Sequence, residues 1–169
     1  MKVHVSLLAV ALGLGILPVS AQTPASPPSR PASSAATPRP SLYERLGGAY
    51  PIAVVVDDFV ERLLVDDILN ANPAISEARA RVPKAGLKFH VTSLVCQATG
   101  GPQHYTGRTM KEAHAHLSIT EKEWDEMVKV FVGVLDKYKV PKAEQGELLQ
   151  IVGSTKGDIV AAGARERRS

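Results

Sequence analysis

Residues 41–160 are predicted to form an all-α domain, and three observations carry that prediction. Apolar residues recur at helical spacing through almost all of this stretch. The tetrapeptide Thr120-Glu-Lys-Glu123 has the form of a capping box, in which a hydroxyl and a carboxylate three positions apart each satisfy a free backbone donor at a helix start. Only 5% of the residues are aromatic, and the 13 glycines and 12 prolines are unevenly spread, which disfavours a β-sandwich and points to helices with an unfolded appendage. A chain of 169 residues is long enough for one such core.

Before that domain come two segments of different character. Lys2 and His4 precede an apolar run from Val5 to Leu17, followed by Pro18 and the small residues Val19-Ser20-Ala21. This is the three-part form of a secretory signal peptide, 1–21, so the expected mature chain begins near Gln22 and is exported, to the periplasm or beyond. An uncleaved membrane anchor is the alternative; no stable span is expected after cleavage. Residues 22–40 are almost wholly Pro, Ser, Ala and Thr, which cannot bury enough apolar surface to offset their ordering entropy. They read as a semi-extended linker.

Within the domain, placed at 41–162, a short element at Leu42–Leu46 ends at Gly47-Gly48, a pair suited to positive φ. Pro51 fits the first turn of a long amphipathic helix whose stripe is Ile52, Val55, Val56, Phe59, Val60, Leu63 and Leu64. Asn70-Ala-Asn-Pro-Ala breaks the pattern, and a weaker helical segment leads to Pro83. A second strong helix runs from Lys84 to about Ala98, with Leu87, Val91, Leu94, Val95 and Ala98 inward and His90 on the same face. A short helix is expected over Thr109–His116. Beyond the Thr120 cap, Trp124, Met127, Val128, Phe131, Val134, Leu135 and Tyr138 recur inward to Val140-Pro141. One last helix from Lys142 places Leu148, Ile151, Val152, Thr155 and Ile159 inward, and 163–169 is a basic tail.

The charge pattern narrows the function. Residues 41–160 hold 14 basic and 16 acidic side chains, so the pI of about 9.1 comes from the flanks and not from a folded surface. Nucleic acid is therefore not an expected partner. Cys96 is single, which leaves no disulfide and no CxxC site, and it reads as a small core residue. Asp57-Asp58 and Asp66-Asp67 read as solvated charges, and Gly100-Gly101 lacks the Lys-Ser/Thr of a phosphate loop.

Histidine is what remains for chemistry. His4 leaves with the signal peptide, and His104 lies in a Gly/Pro-flanked loop where solvation is expected. His114 and His116 are two apart, about 200° around a helix, so they cannot chelate one ion together. His90 and His114 lie on separate helices. Either they are hydrogen-bonded helix residues, or they face each other across a planar metal cofactor with one imidazole on each side. A zinc ion would need a third or fourth ligand that neither helix offers.

Several motifs in one order now bear on that choice: Leu42-Tyr-Glu-Arg-Leu-Gly-Gly48, Ala98-Thr-Gly-Gly-Pro102, Tyr105-Thr-Gly107, Met110-Lys-Glu-Ala-His114, Ile119-Thr120 and Val140-Pro141. Over about 120 residues this series closely resembles truncated haemoglobins of the first group. The resemblance implies a two-over-two helical sandwich holding haem b, with His114 as the proximal iron ligand and no role for His116. Residues expected around the haem are Phe59, Leu87, Val91, Leu94, Val95, Tyr105, Met110, Ile119, Trp124, Phe131 and Ile151.

On the distal side the sequence departs from the family. Members often carry a tyrosine and a glutamine that hydrogen-bond bound oxygen; here Val60 and Val91 stand in those places, with Leu87 as the gate residue. The loss of those donors implies faster oxygen loss and easier autoxidation. A phenylalanine at the haem edge is replaced by the Asn72-Pro73 region. His90 matches a position where some members place a histidine that binds the sixth iron site, so a bis-histidyl state and a distal histidine free to donate or swing out are both open. The function implied is reversible binding of oxygen, NO or CO rather than catalysis. Alternatives are bis-histidyl redox or electron transfer, NO conversion with an unidentified reductase, and a globin fold without haem.

Overall fold

The computed structural model describes residues 39–160. The expected signal peptide, all but the last two residues of the linker and the basic tail lie outside the described residues. The described helices are α1 (Leu42–Arg45), α2 (Ala49–Val65), α3 (Asp67–Asn70), α4 (Pro73–Arg81), α5 (Lys84–Ala98), α6 (Met110–His114), α7 (Glu121–Lys137), α8 (Lys142–Ser154) and α9 (Lys156–Ile159). No strand interrupts them among the described residues; an isolated parallel bridge joins Ile119 to Val160.

Two helix pairs make the body. In the first, α2 and α5 run antiparallel: Lys84 pairs with Glu61 at 3.0 Å, while Lys88, one turn on, pairs with Asp57 and Glu61 at 2.5 Å each. Between them Ile52, Val56, Val60 and Cys96 form a buried cluster, with Leu87, Val91 and Val95 packed against it. The second pair is α7 and α8, turned back on each other after Val140-Pro141. The turn is tied by Gln145, whose Nε2 donates to Asp136 Oδ1 at 2.8 Å and to the Val140 carbonyl at 2.9 Å. Phe131, Leu135 and Leu148 meet Leu42 in a second buried cluster, against which Val55 and Phe59 of α2, Val95 of α5 and Ile151 of α8 pack. The core is thus the seam where the two pairs cross.

Side-chain caps support the starts of several helices, short ones among them. A helix of four or five residues leaves most of its backbone donors unpaired, so side chains must supply partners. Ser41 with Glu44, Thr109 with Glu112, and Thr120 with Glu123 each form a complete capping box. The Thr120 box was legible in the sequence; the other two have the same spacing. At Thr120 the buried Glu123 carboxylate accepts from the Thr120 amide at 2.6 Å and hydroxyl at 2.8 Å. Thr120→Ala is expected to destabilise the fold by about 1 kcal/mol or somewhat more, read as a lower urea midpoint.

The expected helices are present with four corrections. The final helix breaks at Thr155, where its hydroxyl donates to the Val152 carbonyl at 2.7 Å, so α9 is a separate short turn. Ala98 and Tyr138 do not point inward: both sit at helix C-terminal ends and are exposed, while Ser93 and Cys96 take the buried places on α5. The short helix ends at His114 rather than His116. Asp66 is not simply solvated, because its carboxylate caps α3 by accepting from the Leu69 amide at 2.9 Å. Gly47 and Gly48 do adopt positive φ, 87° and 86°.

Asp58 likewise has partners: Lys137 of α7 at 2.9 Å and Arg62 at 3.3 Å. Burial by itself would raise its carboxyl, but these two cations outweigh it and hold the group below its ordinary 3.8. Lys88 and Lys84 lower Glu61 below 4.5 in the same way. A depressed carboxylate contributes stability that is complete above the ordinary value and is lost as pH falls through the folded-state value. The contribution of these two carboxylates should therefore be level from neutral pH to about pH 5 and fall below about pH 4. Asp58→Asn should lower the midpoint at pH 7, and its difference from the parent should shrink in acid; a constant difference would show that the ion pairs contribute nothing.

Candidate functional site

His114 ends α6, a helix placed by the Thr109 capping box and packed beside α9. Its Nδ1 lies 2.8 Å from the carbonyl of Met110, one turn back. A carbonyl can only accept, so Nδ1 is the donor in this contact, which orients the ring and directs Nε2 away from the helix backbone. The half-buried imidazole is thus an oriented side chain whose Nε2 could serve as a metal ligand. Met110 acts here through its backbone.

His90 lies on α5, and its Nδ1 is buried with no hydrogen-bond partner. Its ring meets Tyr105 edge-on, centroids 6.0 Å apart and planes at 84°, and Phe89 at 5.6 Å and 69°. Burial pushes the Tyr105 phenol above its ordinary range, so it stays protonated and donates to the Arg108 carbonyl at 2.7 Å. An unpartnered imidazole nitrogen in a buried position is costly unless a ligand completes it. No group of three or more His, Cys, Asp or Glu side chains suited to a metal ion occurs among the described residues. The donor chemistry present is that of single imidazoles, which suits a metal whose remaining ligands come with it.

A family model for bacterial-like globins matches residues 41–161. The chain belongs to the bacterial-like globin family. Among curated relatives, the group 1 truncated hemoglobin GlbN of Synechocystis sp. is 30% identical over 118 residues, covering 68% of this chain and 90% of that protein. The group 1 truncated hemoglobin GlbN of Mycolicibacterium paratuberculosis is 27% identical over 124 residues, covering 73% and 87%. Among solved structures, the 2/2 hemoglobin of Synechococcus sp. in the cyanomet state, with covalently attached heme, superposes with a TM-score of 0.63. It is 28% identical, covering 72% of this chain and 98% of that one. The truncated hemoglobin of Tetrahymena pyriformis, at 22% identity, gives a TM-score of 0.64 over 72% and 99%. The fold is therefore the truncated two-over-two globin fold.

In this globin the sequence-derived residues fall into three groups. Val60, Leu87 and Val91 come together where α2 meets α5, so the expected distal wall is apolar and closely packed, with Val60 only 2% exposed. Phe59, Val95, Phe131 and Ile151 join at the central seam, where the Phe59 and Phe131 rings meet edge to face at 5.2 Å. Ile119 and Trp124 are buried around the start of α7, and Lys156 lies over the Trp124 ring at 5.9 Å. Leu94 is half-buried. His104 and His116 are exposed, as expected, and Cys96 is fully buried with its thiol pushed up by desolvation. The Asn72-Pro73 region has a structural task of its own: Asn72 caps α4 through its Oδ1 and donates through Nδ2 to the Leu117 carbonyl at 2.9 Å. That bond ties the α3–α4 corner to the segment just after His114. Sequence reasoning missed it, since no local pattern announces a contact 45 residues away.

Proposed function

We propose that this globin holds haem b through Nε2 of His114 and reversibly binds oxygen or a related diatomic, NO or CO. The observation that carries the reading is the Met110 carbonyl locked on His114 Nδ1. Haem held by His114 would supply an iron able to take up a diatomic ligand. The chain's own part is to orient and to exclude. His114 is oriented by the Met110 carbonyl, Val60, Leu87 and Val91 make the face between α2 and α5 apolar, and His90 stands as the polar side chain on that face of α5. An apolar wall without the tyrosine and glutamine donors gives a ligand little electrostatic stabilisation, which favours rapid release over tight storage.

A second reading rests on the unpartnered His90 Nδ1: axial imidazoles from both His114 and His90, giving a redox or electron-transfer protein, or an NO-converting one supplied by a reductase. Titrating the full chain with haemin decides between them. Saturation at one equivalent with a sharp Soret band supports haem binding; a high-spin ferric form supports the first reading and a low-spin form the second. A broad band no different from free haemin would overturn both. Export is also proposed, on the strength of Lys2, the Val5–Leu17 run and Val19-Ser20-Ala21. N-terminal sequencing of the protein isolated from cells checks it: a mature start near Gln22 is expected, and an intact Met1 would refute it. No helix among the described residues is long and apolar enough to cross a membrane.

A further inference from the structure

We infer that Tyr105 is the positioning residue for His90, a fixed aromatic stop that keeps its imidazole on the inner side of α5. This inference rests on the reading that His90 faces the cofactor. A buried imidazole nitrogen without a partner has reason to leave, because rotation into water would satisfy it. Something must therefore hold the ring in, and the two aromatic rings flanking it, Phe89 and Tyr105, are placed to do so. Phe89 is 65% exposed and free on its outer side, which makes it a poor wall. Tyr105 is held at three points. Its amide donates to Gln97 Oε1 at 2.7 Å, its hydroxyl donates to the Arg108 carbonyl at 2.7 Å, and its ring lies against Gly107, where a Cβ would collide with it.

The first anchor matters most, because Gln97 sits on α5, the helix that carries His90 two turns earlier. The other two anchors lie in the segment that leads directly into α6 and His114. Tyr105 thus links the helix bearing one histidine to the entry of the helix bearing the other. The spacing Tyr105-Thr-Gly107 has a physical reason: the aromatic ring needs a residue without a side chain two positions on.

Three variants of the full chain test this: Tyr105→Leu, Tyr105→Phe, and Gly107→Ala, which displaces the ring without altering Tyr105. In haem-free protein, NMR signals of the His90 ring should be shifted by the Tyr105 ring current. They should move to averaged positions in Tyr105→Leu and Gly107→Ala, while Tyr105→Phe, which keeps the ring and loses one anchor, falls between. After loading with haemin, azide association should rise about tenfold in the first two variants as His90 becomes free to swing out. Val65→Ala, at an exposed site on α2, serves as the control and should leave the azide rate at the parent's value. Helical circular dichroism equal to the parent shows that each variant is folded, and Tyr105→Phe carries the test if the others are not. Unchanged His90 signals in the folded variants would overturn the inference, as would an unchanged azide rate. Failure of the parent to take up haemin would refute the proposed function while the haem-free spectra still decide the role of Tyr105.

Discussion

His114→Ala is expected to lose the specific Soret band that the parent gains with haemin, and to recover it in part when free imidazole is added. The Nδ1 of His114 is committed to the Met110 carbonyl at 2.8 Å, so Nε2 has a fixed direction and is the nitrogen left for a ligand bond. Alanine would remove the proposed metal ligand itself. The affinity loss should exceed the roughly 10–100-fold that follows from removing only a ligand's outer hydrogen-bond partner. Because His90 could retain haem weakly, the double variant with His90→Ala is the stricter measurement, and it should leave only nonspecific haemin absorption. A band of undiminished sharpness in the double variant would place the iron on some other residue and end the assignment of His114.

The second large effect concerns stability. Leu135 of α7 is 1% exposed and sits in the buried cluster with Leu42, Phe131 and Leu148. These residues come from α1, α7 and α8, and α2 and α5 pack against the same cluster. Leu135→Ala should lower unfolding stability by about 2–5 kcal/mol, the sum of lost apolar transfer and the cavity left behind. In a domain of this size that is a large share of the total. Val65→Ala serves as the control: Val65 ends α2 with 73% exposure, and its truncation should fall within about 0.5 kcal/mol of the parent. Equal urea midpoints for the two variants would mean that the crossing of the helix pairs is not where the fold is held.

The contrast between these two residues shows what can be read from a chain and what cannot. Leu135 belongs to a long, strictly periodic stripe, and such a stripe has one economical solution, a helix with that face inward. Val65 also falls in an apolar stretch, but about 180° around the helix from buried Val56 and off the inward stripe, so it faces out. Periodicity names a face and says nothing about how far along the helix the neighbour extends. Ala98 and Tyr138 were misplaced for the same reason. His90 was legible as an inward residue from its spacing to Leu87 and Leu94, while its empty nitrogen and its aromatic stop were not, since Tyr105 arrives from a loop without period.

By itself, then, the sequence determined the helical class, the positions of the long helices, the Gly47-Gly48 stop and the Thr120 cap, because each depends on residues within a turn or two of one another. Its motif series also led to His114 as the ligand to test. Tertiary structure decided how the helix pairs cross and how the Asn72 bond braces the segment after His114. It also decided that Val60, Leu87 and Val91 close into one wall and that Tyr105 stands beside His90. Those outcomes depend on contacts between residues tens of positions apart, whose geometry is set by packing volume and hydrogen-bond reach across the assembled core, and no local pattern encodes them.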